Sequence, residues 1–151
     1  MNMEKLHSKN FTHGKFAAHG HLELWPEDGI WRFEVNGPCN LEGIAALGRM
    51  RFKTLEKFPP TGRPYALLGL FHNSMLMPHE AVDRYRADLQ AAFRQKLQLQ
   101  VAEAWIVSTD VEGADMMFPI LQKINQEVGI ELECFTEFDP AIAWLQARLE
   151  K

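Results

Sequence analysis

Two short apolar runs, Tyr65–Phe71 (YALLGLF) and Val101–Ser108 (VAEAWIVS), constrain this chain more than any other feature of it. Each is too short for a buried helix and nearly uninterrupted, as a strand covered on both faces must be. Between them Val82, Tyr85, Leu89, Ala92 and Phe93 recur at helical spacing, with Arg84, Arg86, Asp88 and Arg94 outside the stripe. Strand, amphipathic helix, strand is the pattern of a parallel pair joined by a crossover helix.

The rest of the chain extends that unit. His21–Leu24, the stretch Trp25-Pro26-Glu27-Asp28-Gly29 and Ile30–Val35 read as strand, turn and strand, with Trp31, Phe33 and Val35 alternating with Arg32 and Glu34. Asn36-Gly37-Pro38 stops the strand, and Asn40 is placed to cap a helix from Leu41. Ile44, Gly48, Phe52 and Leu55 give that helix one apolar face, and Pro59-Pro60-Thr61-Gly62 ends it. Pro78 suits the first turn of the next helix, and Pro119 that of a third carrying Leu121, Ile124 and Val128, with Gly129 as its C-terminal cap. Ile130, Leu132 and Cys134 alternate with Glu131, Glu133 and Phe135, as in a sheet-edge strand with one wet face. Asp139-Pro140 reads as an N-cap and first position of a final helix whose inner face is Ile142, Leu145 and Leu149. The expected fold is a single α/β domain over 1–151, in the order ββαβαβαβα. It has a five-stranded, mainly parallel sheet, an N-terminal β-hairpin and four long helices, with 1–15 a loosely ordered segment.

Composition narrows the class. With 151 residues, 46% of them hydrophobic and 24% charged, the chain has the apolar surface to fold as one domain, and global disorder is excluded. Cys39 and Cys134 make neither a disulfide framework nor a four-ligand zinc site. The N-terminus has no apolar core segment, and no run approaches the ~20 residues that span a bilayer, so no signal peptide and no integral membrane segment are expected. A reduced, cytoplasmic protein is the expectation. Charge is uneven: residues 1–100 carry 13 Lys+Arg against 10 Asp+Glu, or +3, and 101–151 carry 3 against 10, or −7. The basic cluster Arg49, Arg51, Lys53, Lys57 and Arg63 is read as a solvated helix face and not as a nucleic-acid patch, because no nucleic-acid motif or basic pI accompanies it.

The turn Gly37-Pro38-Cys39-Asn40-Leu41-Glu42-Gly43, the ending Phe138-Asp139-Pro140-Ala141-Ile142-Ala143-Trp144-Leu145 and His13-Gly14-Lys15-Phe16 carry a resemblance. Together with the element order, they make the chain similar to the STAS domain superfamily, which includes bacterial anti-sigma-factor antagonists and the cytoplasmic domains of sulfate transporters. Within it, the chain looks most like the small stand-alone bacterial proteins called stage II sporulation protein AA-like. The resemblance spans roughly Phe11 to Leu149 and rests on turns, caps and core positions. It implies a regulatory domain that works by protein contact. The antagonists carry a phosphorylatable serine in an Asp-Ser-Ser-Gly-Leu-like motif between the third strand and the second long helix. Here that place reads Phe71-His72-Asn73-Ser74-Met75-Leu76-Met77-Pro78, so only Ser74 stands in as a candidate phosphorylation site, without the preceding acid or following glycine.

The strand-to-helix loop at 72–79 is also the physical choice for a site, since strand ends and helix starts at that rim offer free backbone N–H groups. His72, Asn73, Ser74, Met75, Met77 and His79 are the candidate ligand- or partner-binding residues, for a small anionic ligand or a protein partner. Met75-Leu76-Met77 implies burial against the domain, a homodimer or partner contact, or a ligand wall. A second reading adds Met116 and Met117 to those methionines as loop residues walling a cleft for a lipid-like molecule. His19 and His21 would share a strand face, but no further ligand completes a metal site. Asp110, Glu112 and Asp115 share a loop and read as solvated acids. No nucleophile elbow, P-loop or dinucleotide fingerprint occurs, so no catalytic residue, metal or cofactor is expected.

Overall fold

A computed structural model describes residues 6–7, 21–25, 29–57, 64–95 and 99–150. In chain order they form β1 (Leu6–His7), β2 (His21–Trp25), β3 (Ile30–Asn36), α1 (Leu41–Lys57), β4 (Tyr65–His72), α2 (His79–Gln95), β5 (Gln100–Val107), α3 (Ala114–Glu127), β6 (Glu131–Phe135) and α4 (Phe138–Leu149). The six strands make one sheet in the order β1-β2-β3-β4-β5-β6. β1 and β2, and β2 and β3, pair antiparallel; β3 to β6 run parallel. The expected parallel neighbours β4 and β5 are confirmed, pairing Leu67 with Glu103 and Phe71 with Val107. The sheet has six strands where five were expected. Leu6–His7 forms the extra one, inside the stretch expected to be loosely ordered, because β2 leaves an edge that two residues of backbone can pair. His13-Gly14-Lys15-Phe16, His19, the 26–28 turn, Pro59-Pro60-Thr61-Gly62 and Arg63 lie outside the described residues.

Alternation along the parallel strands sends side chains to two unequal cores. On one face Phe33, Leu67, Phe71 and Trp105 meet α1, α2 and α3 through Ile44, Met50, Leu89 and Leu121. On the other, Ala66, Leu68, Ala102 and Ala104 meet Ala141 and Leu145 of α4. The alanines keep that second face shallow, so α4 lies close on β4 and β5. Gly69 is opposite Phe33 in the ladder, and a Cβ on it would lie 2.4 Å from Phe33 Cζ. Its missing side chain is the space the phenyl ring fills. From there an aromatic chain runs across the sheet, Phe33 to Phe71 to Trp105 to Phe118, with centroids 5.9, 4.5 and 5.7 Å apart.

Helix ends follow the sequence signals with two shifts. Asn40 caps α1, its Oδ1 accepting the Gly43 N–H at 2.9 Å. α3 closes with Gly129 at φ 82°, where Gly129 N–H reaches Gln126 O and Ile130 N–H reaches Asn125 O. Its start differs: Met117 N–H already bonds Gly113 O, so α3 begins at Ala114 and Pro119 falls in the second turn, not the first. α4 likewise starts at Phe138, with Glu137 as N-cap and Pro140 third in the helix, where a missing N–H still costs nothing. The edge strand β6 has side chains over its backbone: Gln122 Nε2 donates to Leu132 O at 2.9 Å, and Glu133 Oε1 accepts from Cys134 N–H at 3.3 Å. Such cover blunts an edge against pairing with another chain.

Candidate functional site

Three loops meet where the parallel strands end. Residues 37–40 follow β3, 73–78 follow β4 and 108–113 follow β5. Gly37 N–H bonds His72 O at 3.2 Å and Cys39 N–H bonds Leu76 O at 3.3 Å. Glu112 N–H bonds Asn73 O, and Met75 N–H bonds Glu112 O, both at 2.8 Å. Asn73 sits at φ 66°, a left-handed position that asparagine tolerates better than most residues. Gly37 is required by closeness: a Cβ there would lie 2.0 Å from Ser74 O. The rim is therefore a laced platform and not a set of independent loops.

The candidate residues take distinct places on it. Ser74 is 4% exposed; its hydroxyl donates to Glu112 Oε1 at 2.9 Å and accepts Leu76 N–H at 3.1 Å. Glu112 is thus exposed yet engaged, which its reading as a merely solvated loop acid did not include. Met75 is 2% exposed and belongs to the main core, while Met77 is half-buried against it. His72 is exposed, with Nε2 2.7 Å from Glu34 Oε1 on β3, and Asn73 donates to Asn36. His79 is exposed at the start of α2 and faces Asp83, 3.4 Å away on its own helix. His72 and His79 turn to different carboxylates.

The four methionines do not share a wall. Met75 and Met77 line a small pocket, Met117 is core, and Met116, 60% exposed, lines a separate groove. Met116 and Met117 belong to α3, not to a loop. The groove, about 540 Å3, opens at the ends of β5 and β6 between Val111, Phe118, Pro119, Cys134 and Thr136. Gly113 turns the chain into α3 at φ 75°, with no side-chain cap on the helix. Beside it Ser108 donates to Asp110, which holds that carboxyl below its ordinary range. Burial, with Glu133 second, pushes the Cys134 thiol up, so at neutral pH it is a thiol and not a thiolate. Burial also pushes Cys39 up, to about 11. Both cysteines are free.

A second polar site lies inside the core. Glu103, fully buried in the middle of β5, accepts from Gln100 Nε2 at 3.1 Å, Asn125 Nδ2 at 3.3 Å and Trp105 Nε1 at 2.6 Å. Tyr85 Oη donates to Asn125 Oδ1 at 2.6 Å. Burial first, then Glu103, drives the Tyr85 phenol far above its usual pKa. Local pattern alone reads VAEAWIVS as an apolar strand and gives Glu103 no role. The signal was present: an acid inside a strand covered on both faces is retained only if it is fully hydrogen-bonded. The basic run of α1 is also divided. Arg51 lines the small pocket under Met75 and Met77, burial and then Arg84 lower the Arg49 pKa against the opposing pull of Asp88, and Lys53 is exposed beside Glu56.

Among the described residues no group of three or more His, Cys, Asp or Glu side chains is placed to hold a metal, and no helix is long and apolar enough to cross a membrane. Compared with protein-family models, with curated proteins and with solved structures, the chain matches none of them.

Proposed function

We propose that this α/β chain is a non-catalytic, STAS-like regulatory or adaptor domain of the cytoplasm, acting through protein contact at the C-terminal rim of its parallel strands. One observation carries the reading: the rim, laced by backbone hydrogen bonds between its loops, ends in an open groove of about 540 Å3 beside Met116, which is 60% exposed. An exposed flexible methionine next to a concave, largely apolar surface suits an adaptable protein interface. The rim's polar side chains support it too, since Ser74, His72 and His79 are spent on Glu112, Glu34 and Asp83. A photo-crosslinking residue at Met116, in the native host, tests the idea. It should yield one defined protein adduct that Thr136→Arg, at the groove wall, abolishes. Absence of any adduct would overturn the reading.

The groove's volume favours a second reading, a carrier of a lipid-like molecule, because it falls within the roughly 300–1,000 Å3 of small-molecule sites. Native mass spectrometry of protein purified from its own host separates the two. A carrier retains a ligand mass that Thr136→Trp displaces, and an adaptor does not.

A further inference from the structure

The rim groove of about 540 Å3 is walled by the end of β5 and its loop, the start of α3 and the end of β6. Val111, Met116, Phe118 and Pro119 are among its apolar side chains. Met116 is 60% exposed, and Ile120, one turn further along the same face of α3, is 43% exposed, so apolar surface continues out of the groove. The charge around it is of one sign. Residues 107–119 and 133–139, which form the walls and their borders, include Asp110, Glu112, Asp115, Glu133, Glu137 and Asp139 but no Lys or Arg. All six acids are exposed, and none makes a salt bridge with a described residue. Arg148 feels Glu133 but is bound by both carboxylate oxygens of Glu131, at 2.9 and 3.1 Å. The acids reach the groove from both sides. After burial, the charges of Glu133 and Asp115 push up the thiol of Cys134 in its wall, against the Phe135 backbone hydrogen bond.

Exposed carboxylates are well solvated, so this border costs the fold little. Its effect is on what can approach. Nucleic acid and anionic lipid surfaces are repelled. A second copy docking by the same face would set carboxylate against carboxylate. The β6 edge is covered by Gln122 and Glu133, which disfavours a peptide added as a further strand. A segment that inserts an apolar side chain between flanking cations uses both features of the groove. We propose that the groove docks a basic segment of a partner protein. One large apolar side chain of that segment seats against Met116 and Phe118, and its Lys or Arg neighbours lie over the two carboxylate borders. This rests on the adaptor reading of the same groove and adds the chemistry of the partner.

Three short synthetic peptides separate the contributions: an amphipathic helix of Leu and Lys, the same with Glu for every Lys, and the same with Ser for every Leu. Each is titrated into the wild-type protein, with the Gly113 and Thr136 amide resonances as reporters at the groove. The Leu–Lys peptide should shift both saturably, and its affinity should fall as salt is raised. The other two should bind roughly tenfold more weakly or less. Asp115→Asn with Glu137→Gln, both exposed positions, should weaken the Leu–Lys peptide roughly fivefold, at two surface charge pairs, with an unchanged circular dichroism spectrum. Equal binding of the Leu–Glu peptide would show that the border does not select charge. Equal binding of the Ser–Lys peptide would show attraction of any polycation, with no seat in the groove. Either result, or no saturable shift with any peptide, overturns the inference on the wild-type protein alone. None of them touches the adaptor reading, which stands or falls on the Met116 adduct in the native host.

Discussion

Met75 and Met77 stand two residues apart in one loop, yet burial separates them. Met75 is 2% exposed, and replacing it with Gln removes a buried side chain and buries an unpaired amide, at a cost of roughly 2–5 kcal/mol. Met75→Gln should therefore lower the melting temperature by roughly 5–15 °C, at about 2–4 °C per kcal/mol for a chain this size. Half-buried Met77→Gln should cost clearly less, and equal losses in calorimetry would contradict the assignment. Tyr65 gives a pH-dependent case. Its hydroxyl is buried without a hydrogen-bond partner, and burial pushes its pKa from 10.0 up to about 12. The folded state then holds this proton more tightly than the unfolded one, so the contribution is intact below pH 10 and lost as pH rises through 12. Tyr65→Phe should be near neutral at pH 7, since it removes an unsatisfied group, and should flatten the alkaline loss of stability between pH 10 and 12. Urea midpoints across that range check it; parallel curves for the two proteins would refute it. Ser74 and Glu112 show why such details escape a linear reading. Nothing near residue 74 announces a partner 38 positions away, and their bond exists only because β4 and β5 end side by side.

The elements themselves were largely readable. Helical and twofold periodicities, Asn40 as a cap and Gly129 as a C-terminal turn are local signals, because each depends on backbone geometry within a few residues. The misplaced helix starts were also local. Pro140, third in α4, sits where its missing N–H is not needed, whereas Pro119, sixth in α3, forgoes the backbone bond its position would make, so a proline bounds a helix start without fixing it. Sequence placed β6 at an edge but not the cover over its backbone, which needs Gln122 of α3 above Leu132. That cover is testable. Gln122→Ala with Glu133→Ala should leave the fold intact by circular dichroism and raise concentration-dependent association, seen in light scattering, as an edge with uncovered backbone does. An unchanged monomer at high concentration would show that the cover is incidental.

At the scale of the molecule, the two faces of the sheet are unequal by design of their side chains: aromatic and branched toward α1, α2 and α3, small toward α4. Ala104→Leu should force α4 off the sheet at about 1–3 kcal/mol, and hydrogen exchange should show lost protection confined to α4 while α1 and α2 keep theirs. A uniform loss would mean the two cores unfold as one. By itself the sequence determined the α/β class, the four helices and the parallel pairing of Tyr65–Phe71 with Val101–Ser108, since periodicity and breakers act over a few residues. Tertiary structure decided which residues became a site. It buried Ser74 and Met75, set His72 and His79 toward different carboxylates and opened a groove at Met116. The reason is physical: burial and charge pairing depend on which elements pack together, and that packing joins residues tens of positions apart that no local pattern links.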